Sequence, residues 1–162
     1  ISRIEAGKIQ ASPVPLELPA FLKEILELHQ SQADAKKLAL TLEAPASLAI
    51  STDPTYLREV VTNLISNAIR YTPEGGRITV SASKADSIVT LSVADNGLGI
   101  PPHEQEKIFS KFFRAANAMK TVPNGTGLGL YLAHSLTQML GGTIAFTSAV
   151  GKGTTFTLKL PA

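Results

Sequence analysis

Residues 53–73 read DPTYLREVVTNLISNAIRYTP, and this segment predicts the central helix of the fold. Asp53 followed by Pro54 is a strong helix start, because an aspartate caps free backbone N–H groups and proline suits the first helical position. Thr72-Pro73 ends the helix, because proline cannot continue it. Between these ends, apolar residues recur at helical spacing and predict one buried face: Leu57, Val60, Val61, Leu64, Ile65 and Ala68.

A second stripe of the same helix, roughly 100° from the apolar one, carries polar side chains: Glu59, Asn63, Asn67, Arg70 and Tyr71. Asn63 and Asn67 offer two neutral oxygen ligands, which suit a Mg²⁺ ion that takes its other ligands from water and phosphates. Arg70 can reach an anionic group from the next turn. Taken alone, an ordinary solvated helix face explains this stripe as well.

Outward from this helix, helices and strands are mixed along the chain. The residues from 1 to 10 read as the end of a helix, which prolines 13, 15 and 19 interrupt. Apolar spacing then predicts a helix over about 20–36, strands over 38–43, 48–51, 78–83 and 88–94, a helix over about 128–140, and a hairpin of strands over 143–148 and 154–160. We therefore predict an α+β fold: a two-layer α/β sandwich whose mixed, mostly antiparallel sheet has helices on one face.

Two glycine-rich segments are candidates for binding a ligand. Asp95-Asn96-Gly97-Leu98-Gly99-Ile100 follows a strand, and its glycines permit close backbone approach, although a simple Asp-Asn-Gly turn is an equal alternative. Gly125-Thr126-Gly127-Leu128-Gly129 leads into a helix, whose first N–H groups favour an anion. The spacing of the second segment differs from the dinucleotide fingerprint, and residues 151–154 lack the features of a P-loop and read as a hairpin turn.

Between the two glycine segments, residues 108–114 concentrate aromatic side chains in the most loop-like part of the chain. Three of the six phenylalanines fall within five residues, at positions 109, 112 and 113. One interpretation is a short core helix. The other is an anchor that tethers a mobile lid.

The composition excludes several classes of protein. The chain has 162 residues, of which 44% are hydrophobic and 17% charged, which is sufficient for one domain with a true core. The net charge of +2 comes without a basic run, so no nucleic-acid partner is expected. There is no cysteine, the three histidines lie far apart, and no apolar run approaches the roughly 20 residues of a membrane span. Because the sequence shows no signal peptide and begins with Ile1, we expect a fragment whose parent can hold a transmembrane region elsewhere.

Taken together and in this order, four segments resemble the N, G1, F and G2 boxes of sensor histidine kinases: residues 63–73, 95–100, 108–114 and 125–130. Gly141-Gly142 and the segments 151–156 and 160–161 are similar to the family's closing hairpin. Residues 2–8 resemble the end of the second dimerisation helix and the linker. The resemblance covers essentially the whole chain and implies residues 1–12 as helix end and linker, and residues 13–162 as the ATP-binding catalytic domain.

The resemblance implies a Bergerat-type ATP fold and a role for each box. Asp95 would accept a hydrogen bond from the adenine amino group, and Asn63 and Asn67 would bind Mg²⁺ together with the phosphates, with Glu59 as a further candidate catalytic residue. Residues 101–124 would form the ATP lid. The other ATP-binding candidates are Arg70, Tyr71, Gly97, Gly99, Ile100, Phe109, Arg114, Gly125, Thr126, Gly127, Leu128 and Gly129. Arg70 replaces the lysine often found at its position and keeps the charge, whereas Tyr131 replaces a small residue and receives no role.

The implied function is that of a protein-histidine kinase: binding of Mg·ATP and transfer of the γ-phosphate to a histidine on a separate dimerisation domain absent from this chain. None of His29, His103 and His134 is followed by the acidic residue typical of the phosphoacceptor. The implied partners are that dimerisation domain and the receiver domain of a response regulator. The implied setting is a cytoplasmic domain of a homodimeric parent that can be anchored in the inner membrane.

Two other functions compete with this one. An ATP-binding regulatory module that no longer transfers phosphate is disfavoured by the complete set of boxes. A water-activating ATPase of the same superfamily, such as gyrase or the mismatch-repair ATPases, carries a glutamate one turn before the metal-binding asparagine. Here that position is Asn63, which cannot accept a proton, and Glu59 lies a further turn away, about 6 Å along the axis.

Overall fold

The computed structural model describes residues 9–162, and the predicted helix end over residues 1–8 lies outside them. Its helices are α1 (Leu18–Ala35), α2 (Pro54–Tyr71), α3 (Ala116–Thr121) and α4 (Gly129–Met139), with a short 3₁₀ helix at Pro102–Lys107. Its strands are β1 (Val14–Glu17), β2 (Ala39–Glu43), β3 (Ala49–Thr52), β4 (Arg77–Ala85), β5 (Ile88–Asp95), β6 (Thr143–Ala149) and β7 (Gly153–Pro161).

The main sheet has five strands in the order β2-β4-β5-β7-β6. Strand β2 runs parallel to β4, and the other three neighbouring pairs are antiparallel. A separate two-stranded sheet joins β1 to β3. The α+β prediction with a mixed, mostly antiparallel sheet is therefore confirmed.

Burial alternates along the central strands, because successive side chains of a strand point to opposite faces. Ile78, Val80 and Ala82 are buried on β4, whereas Thr79 and Ser81 between them stay partly exposed. The helices pack on the buried face, and α2 contributes the predicted apolar stripe, all of it buried. The polar stripe of α2 is thereby left facing away from the core.

The start of α2 is fixed as the Asp53-Pro54 pair predicts. The Asp53 side chain accepts hydrogen bonds from the backbone N–H groups of Thr55 and Tyr56, which satisfies two free donors of the first turn. Its second oxygen accepts from the N–H of Ser12 at 2.8 Å. One buried carboxylate thus joins the incoming chain to the central helix.

Two expectations need correction. Strand β1 was not predicted, because Pro13 and Pro15 hide its alternation, yet edge strands tolerate proline. The region 101–124, expected as the lid and the most loop-like part of the chain, contains two short helices that were not predicted, the 3₁₀ helix and α3.

The phenylalanine-rich segment is not a helix but a series of turns, so the short-core-helix interpretation is wrong. Phe109 packs between His134, Phe146 and Phe156, with ring centroids 5.0–6.3 Å apart. Phe112 lies at φ +62° with its side chain 71% exposed. The segment is therefore anchored by one aromatic ring of the core while the next aromatic side chain faces solvent.

Candidate functional site

A cleft opens between α2, the end of β5, the segment 113–118 and the start of α4. It gathers most of the candidate residues: Asn63, Asn67, Arg70, Tyr71, Asp95, Gly99, Ile100, Arg114, Gly125, Thr126, Gly127 and Gly129. Four candidates do not line it: Glu59, Gly97, Phe109 and Leu128. The polar stripe of α2 therefore forms one wall of a cleft rather than a plain solvated face.

The first half of that wall is an oriented amide. The Asn63 side-chain nitrogen donates to the carbonyl oxygen of Glu59 at 2.8 Å and reaches the Glu59 carboxylate at 3.3 Å. The Asn63 amide oxygen consequently points across the cleft towards Gly129. A Cβ atom built on Gly129 would lie 3.1 Å from this oxygen. Asn67, one turn further, also lines the cleft. The Asn63 amide oxygen thus faces the start of α4, where an anion would sit, and Asn67 lines the cleft beside it.

Glu59 is exposed and lies outside the cleft, to which two hydrogen bonds with Asn63 connect it. No group of three or more His, Asp or Glu side chains within residues 9–162 could hold a metal ion. A cation in this cleft would accordingly take neutral amide oxygens from the protein and its negatively charged ligands from a bound phosphate.

Asp95 occupies the inner end of the cleft. Its Oδ1 accepts from the N–H groups of Gly97 at 2.9 Å and Thr154 at 3.3 Å, whereas its Oδ2 has no hydrogen bond with any described residue. Burial raises the pKa of the Asp95 carboxyl, and the bonds from Gly97 and Thr154 oppose this rise. The free oxygen of a half-desolvated carboxylate is well placed to accept from a ligand that carries an N–H group.

Close backbone contacts explain the glycines beside Asp95. A Cβ on Gly97 would come within 2.5 Å of the Tyr71 carbonyl oxygen, so Gly97 supports the cleft from behind rather than lining it. A Cβ on Gly99, which lies at φ +69°, would come within 2.0 Å of the Ala149 carbonyl oxygen. Packing between segments therefore leaves no room for a side chain at either glycine, and the bond from the Gly97 N–H to Asp95 forms a local turn within this packing.

The second glycine segment packs against the phenylalanine-rich one. Gly127 lies at φ +68°, and its carbonyl oxygen accepts from the N–H of Phe112 at 3.0 Å. The Thr126 hydroxyl accepts from the N–H of Leu128 at 3.3 Å, just before α4 begins at Gly129. The N-terminus of α4 therefore opens into the cleft, as the sequence predicts.

Arg114 joins the lid to the α2 wall of the cleft. Its guanidinium donates to the carbonyl oxygens of Val122 and of Pro123, the latter at 2.8 Å, and reaches the hydroxyl of Tyr71 at 3.4 Å. The cation thus lines the cleft and donates hydrogen bonds to backbone carbonyls of the lid. A phosphate contact, as expected from the sequence, would replace some of these bonds.

Among the residues that sequence reasoning missed, three make polar contacts that connect distant segments of the site. Thr154 lines the cleft and donates to Asp95, although residues 151–154 read only as a turn. The Ser148 hydroxyl accepts from the N–H of Ile100 at 2.8 Å and shares a second hydrogen bond of 2.8 Å with the Thr154 hydroxyl. Asn117, in the lid, donates to the carbonyl oxygen of Gly99 at 3.0 Å. No local signal marks these residues, because each acts across a long sequence separation.

The three histidines are accounted for outside the cleft. His29 is buried with its Nδ1 2.8 Å from the carbonyl oxygen of Ile25 and its Nε2 3.4 Å from the Ser66 hydroxyl. His134 packs on Phe109, and His103 is exposed. These environments agree with packing or solvent roles.

The family model described as histidine kinase-, DNA gyrase B-, and HSP90-like ATPase matches residues 52–162, which hold the whole cleft. The chain belongs to this family. None of the described helices of this ATPase domain is long and apolar enough to cross a membrane.

Relatives of the ATPase domain are named as sensor kinases. It is 33% identical to the sensor-like histidine kinase SenX3 of Mycobacterium tuberculosis over 162 residues, and 36% identical to the aerobic respiration control sensor protein ArcB of Escherichia coli over 166 residues. Both matches span 100% of this chain but only 40% and 21% of the relatives. The chain therefore corresponds to less than half the length of these proteins.

Solved structures agree with this assignment. The structure of full-length ShkA in complex with AMPPNP superposes with a TM-score of 0.87 at 29% identity, over 99% of this chain and 33% of that one. The catalytic domain of histidine kinase ThkA superposes with a TM-score of 0.81 at 28% identity, and the match covers 93% of this chain and 95% of the ThkA domain. The ATPase domain is thus a histidine kinase catalytic domain of the Bergerat type, and the resemblance seen in the sequence is confirmed.

Proposed function

We propose that this domain binds Mg·ATP in the cleft and presents the γ-phosphate to a histidine carried by a separate dimerisation domain. The observation that carries the proposal is the convergence of three unlike elements on one cleft. These are the amide pair Asn63 and Asn67, the carboxylate Asp95 with one free oxygen, and the glycine segment at the start of α4. The AMPPNP complex of the structural relative ShkA supports a nucleotide as the ligand.

In the proposed arrangement, the base lies at the inner end and the phosphates at the outer end. Asp95 accepts from the adenine amino group, while Gly99 and Ile100 line the space beside it. The N–H groups of the segment 125–129 face the triphosphate, and Asn63 and Asn67 would hold a Mg²⁺ ion, which would supply positive charge beside the phosphates. Phosphoryl transfer depends mainly on positioning and charge neutralisation: these residues provide the positioning, and a Mg²⁺ ion held by the two asparagines would provide the charge.

The reaction proposed for the whole protein is transfer between domains. A ring nitrogen of the acceptor histidine forms a bond to the γ-phosphorus, while the bond between this phosphorus and the β,γ-bridging oxygen breaks, and ADP leaves. The proton on the other ring nitrogen of the acceptor is released. The receiver domain of a response regulator is the proposed next acceptor, supported by the solved complex of ThkA with the response regulator protein TrrA. The proposed setting is the cytoplasm for this domain, within a homodimeric parent protein that can be anchored in the inner membrane.

The function is tested with γ-labelled ATP. We expect the domain alone to stay unlabelled. When the dimerisation segment of the full-length protein, which carries the acceptor histidine, is added as a separate polypeptide, we expect acid-labile phosphate to appear on that segment. Acid-labile label on His29, His103 or His134 would contradict the proposal. Sustained release of inorganic phosphate without an acceptor would favour a water-activating ATPase instead.

The amide pair gives a prediction on metal dependence. Asn67→Ala is expected to weaken ATP binding on the order of tenfold when Mg²⁺ is present, because a charge-assisted contact is lost, and much less when Mg²⁺ is chelated. Calorimetric titration with and without Mg²⁺ measures the difference. Gln138→Ala, an exposed amide of α4 that does not line the cleft, serves as the control. Equal losses in both conditions would show that Asn67 is not a metal ligand.

A further inference from the structure

The C-terminus of α2 is held by an unusual set of donors. The last four carbonyl groups of a helix have no partner within the helix, and Pro73 has no N–H to offer. The N–H of Thr72 donates to the carbonyl oxygen of Ala68 at 3.0 Å, and the N–H of Leu98 donates to that of Tyr71 at 3.1 Å. The carbonyl oxygens of residues 69 and 70 remain to be satisfied.

Lys36 satisfies both. This residue follows the end of α1, and its Nζ donates to the carbonyl oxygen of Ile69 at 2.7 Å and to that of Arg70 at 3.2 Å. In a continuing helix, the N–H of residue 73 would donate to the Ile69 carbonyl oxygen, but Pro73 has no N–H. A cation at this end of a helix also complements the negative end of the helix dipole.

The capped turn controls the geometry of the cleft. Arg70 and Tyr71 line the cleft from this turn. The Tyr71 carbonyl receives the Leu98 N–H and lies against Gly97, so it sets the position of the loop that follows Asp95. A shift of the last turn of α2 would therefore move both walls of the inner cleft together.

Further backbone bonds lock Lys36 to the same region. The Lys36 carbonyl accepts from the N–H of Gly75 at 3.1 Å, and the Gly76 carbonyl accepts from the N–H of Ala39 at 3.0 Å. The Lys36 side chain is partly buried at this helix end, and this burial lowers the pKa of its ammonium. The neighbouring Lys37 differs, because its 3.0 Å ion pair with Glu74 is exposed to solvent.

We propose that Lys36 is a positioning residue for the nucleotide: it holds the last turn of α2 so that Arg70, Tyr71 and the loop 96–99 keep the spacing that ATP requires. Lys36 itself does not line the cleft. The proposal rests on the function proposed above, since it assigns Lys36 a part in ATP binding.

The test compares two adjacent lysines. Lys36→Met keeps a long unbranched side chain but removes its hydrogen-bond donors. We expect the Kd for ATP to rise about tenfold and hydrogen exchange at the Leu98 amide to become faster. Lys37→Met, which removes an exposed ion pair, should leave both unchanged. Lys36→Arg, which restores donors and charge, should recover most of the affinity.

The possible outcomes separate the two proposals. Failure of the unaltered domain to bind ATP would overturn the proposed function. Binding by the unaltered domain with an equal Kd for Lys36→Met would overturn only the role of Lys36. The role would also be overturned if Lys36→Met lowered stability while the Kd and the Leu98 exchange stayed the same. If Lys36→Met does not fold, Lys36→Gln, which keeps one donor, is measured in its place against the same criteria.

Discussion

Asp95→Asn is expected to lose most of the affinity for ATP, by at least about tenfold, and to narrow the difference between ATP and GTP. Asp95 Oδ2 has no hydrogen bond with the described residues and faces the cleft, where it would accept from the adenine amino group. Guanine presents a carbonyl oxygen at the equivalent position, which places acceptor against acceptor. An asparagine supplies one donor in the same shape, so the preference for adenine weakens.

The measurement is competition of ATP and GTP against a fluorescent nucleotide, for the unaltered domain and for the variant. Asp86→Asn, in the exposed turn between β4 and β5, is the matched control, because asparagine tolerates the positive φ of +54° at that position. Equal binding of ATP and GTP by the unaltered domain, or full ATP affinity in Asp95→Asn, would mean that Asp95 does not contact the base.

Gly153→Ala is expected to destabilise the domain by about 3 kcal/mol or more, because an overpacked contact adds to the cost of a left-handed backbone. Gly153 lies at φ +104°, and an added Cβ would come within 1.9 Å of the Asp95 carbonyl oxygen and 2.7 Å of the Asn96 Cα. Both contacts are backbone atoms that cannot rotate away. Relief of the clash would displace Asp95, so ATP affinity should fall as well.

Gly151→Ala in the same turn separates the cost of the close contact from the cost of the left-handed backbone. Gly151 lies at φ +75°, but nothing lies within 4 Å of its added Cβ, so only the backbone term of about 1 kcal/mol should remain and ATP affinity should be unchanged. Urea unfolding measures the stability of each variant, and nucleotide titration measures the affinity. Similar losses of stability for the two variants would show that the contact with Asp95 is not tight.

Features that depend on residues close in sequence were open to prediction. The start of α2 follows from Asp53-Pro54, its buried face from apolar residues three and four apart, and its polar stripe from the same periodicity. Helix geometry alone sets which of these side chains share a face. The sequence therefore determined that Asn63 and Asn67 point the same way, and the order of the boxes determined the family.

Features that depend on contacts between distant segments required the tertiary structure. Thr154 donates to a carboxylate 59 residues away, and Lys36 caps a helix that ends 35 residues later, and neither pairing leaves a local periodic signal. The positive φ of Phe112 and the cation of Arg114 among lid carbonyls also arise from packing. Spacing along the chain encodes the geometry within one helix or strand, whereas the sites where two such elements meet depend on how the whole core packs. By itself the sequence determined the family and most of the candidate residues that line the cleft, and only the fold decided what holds those residues in place.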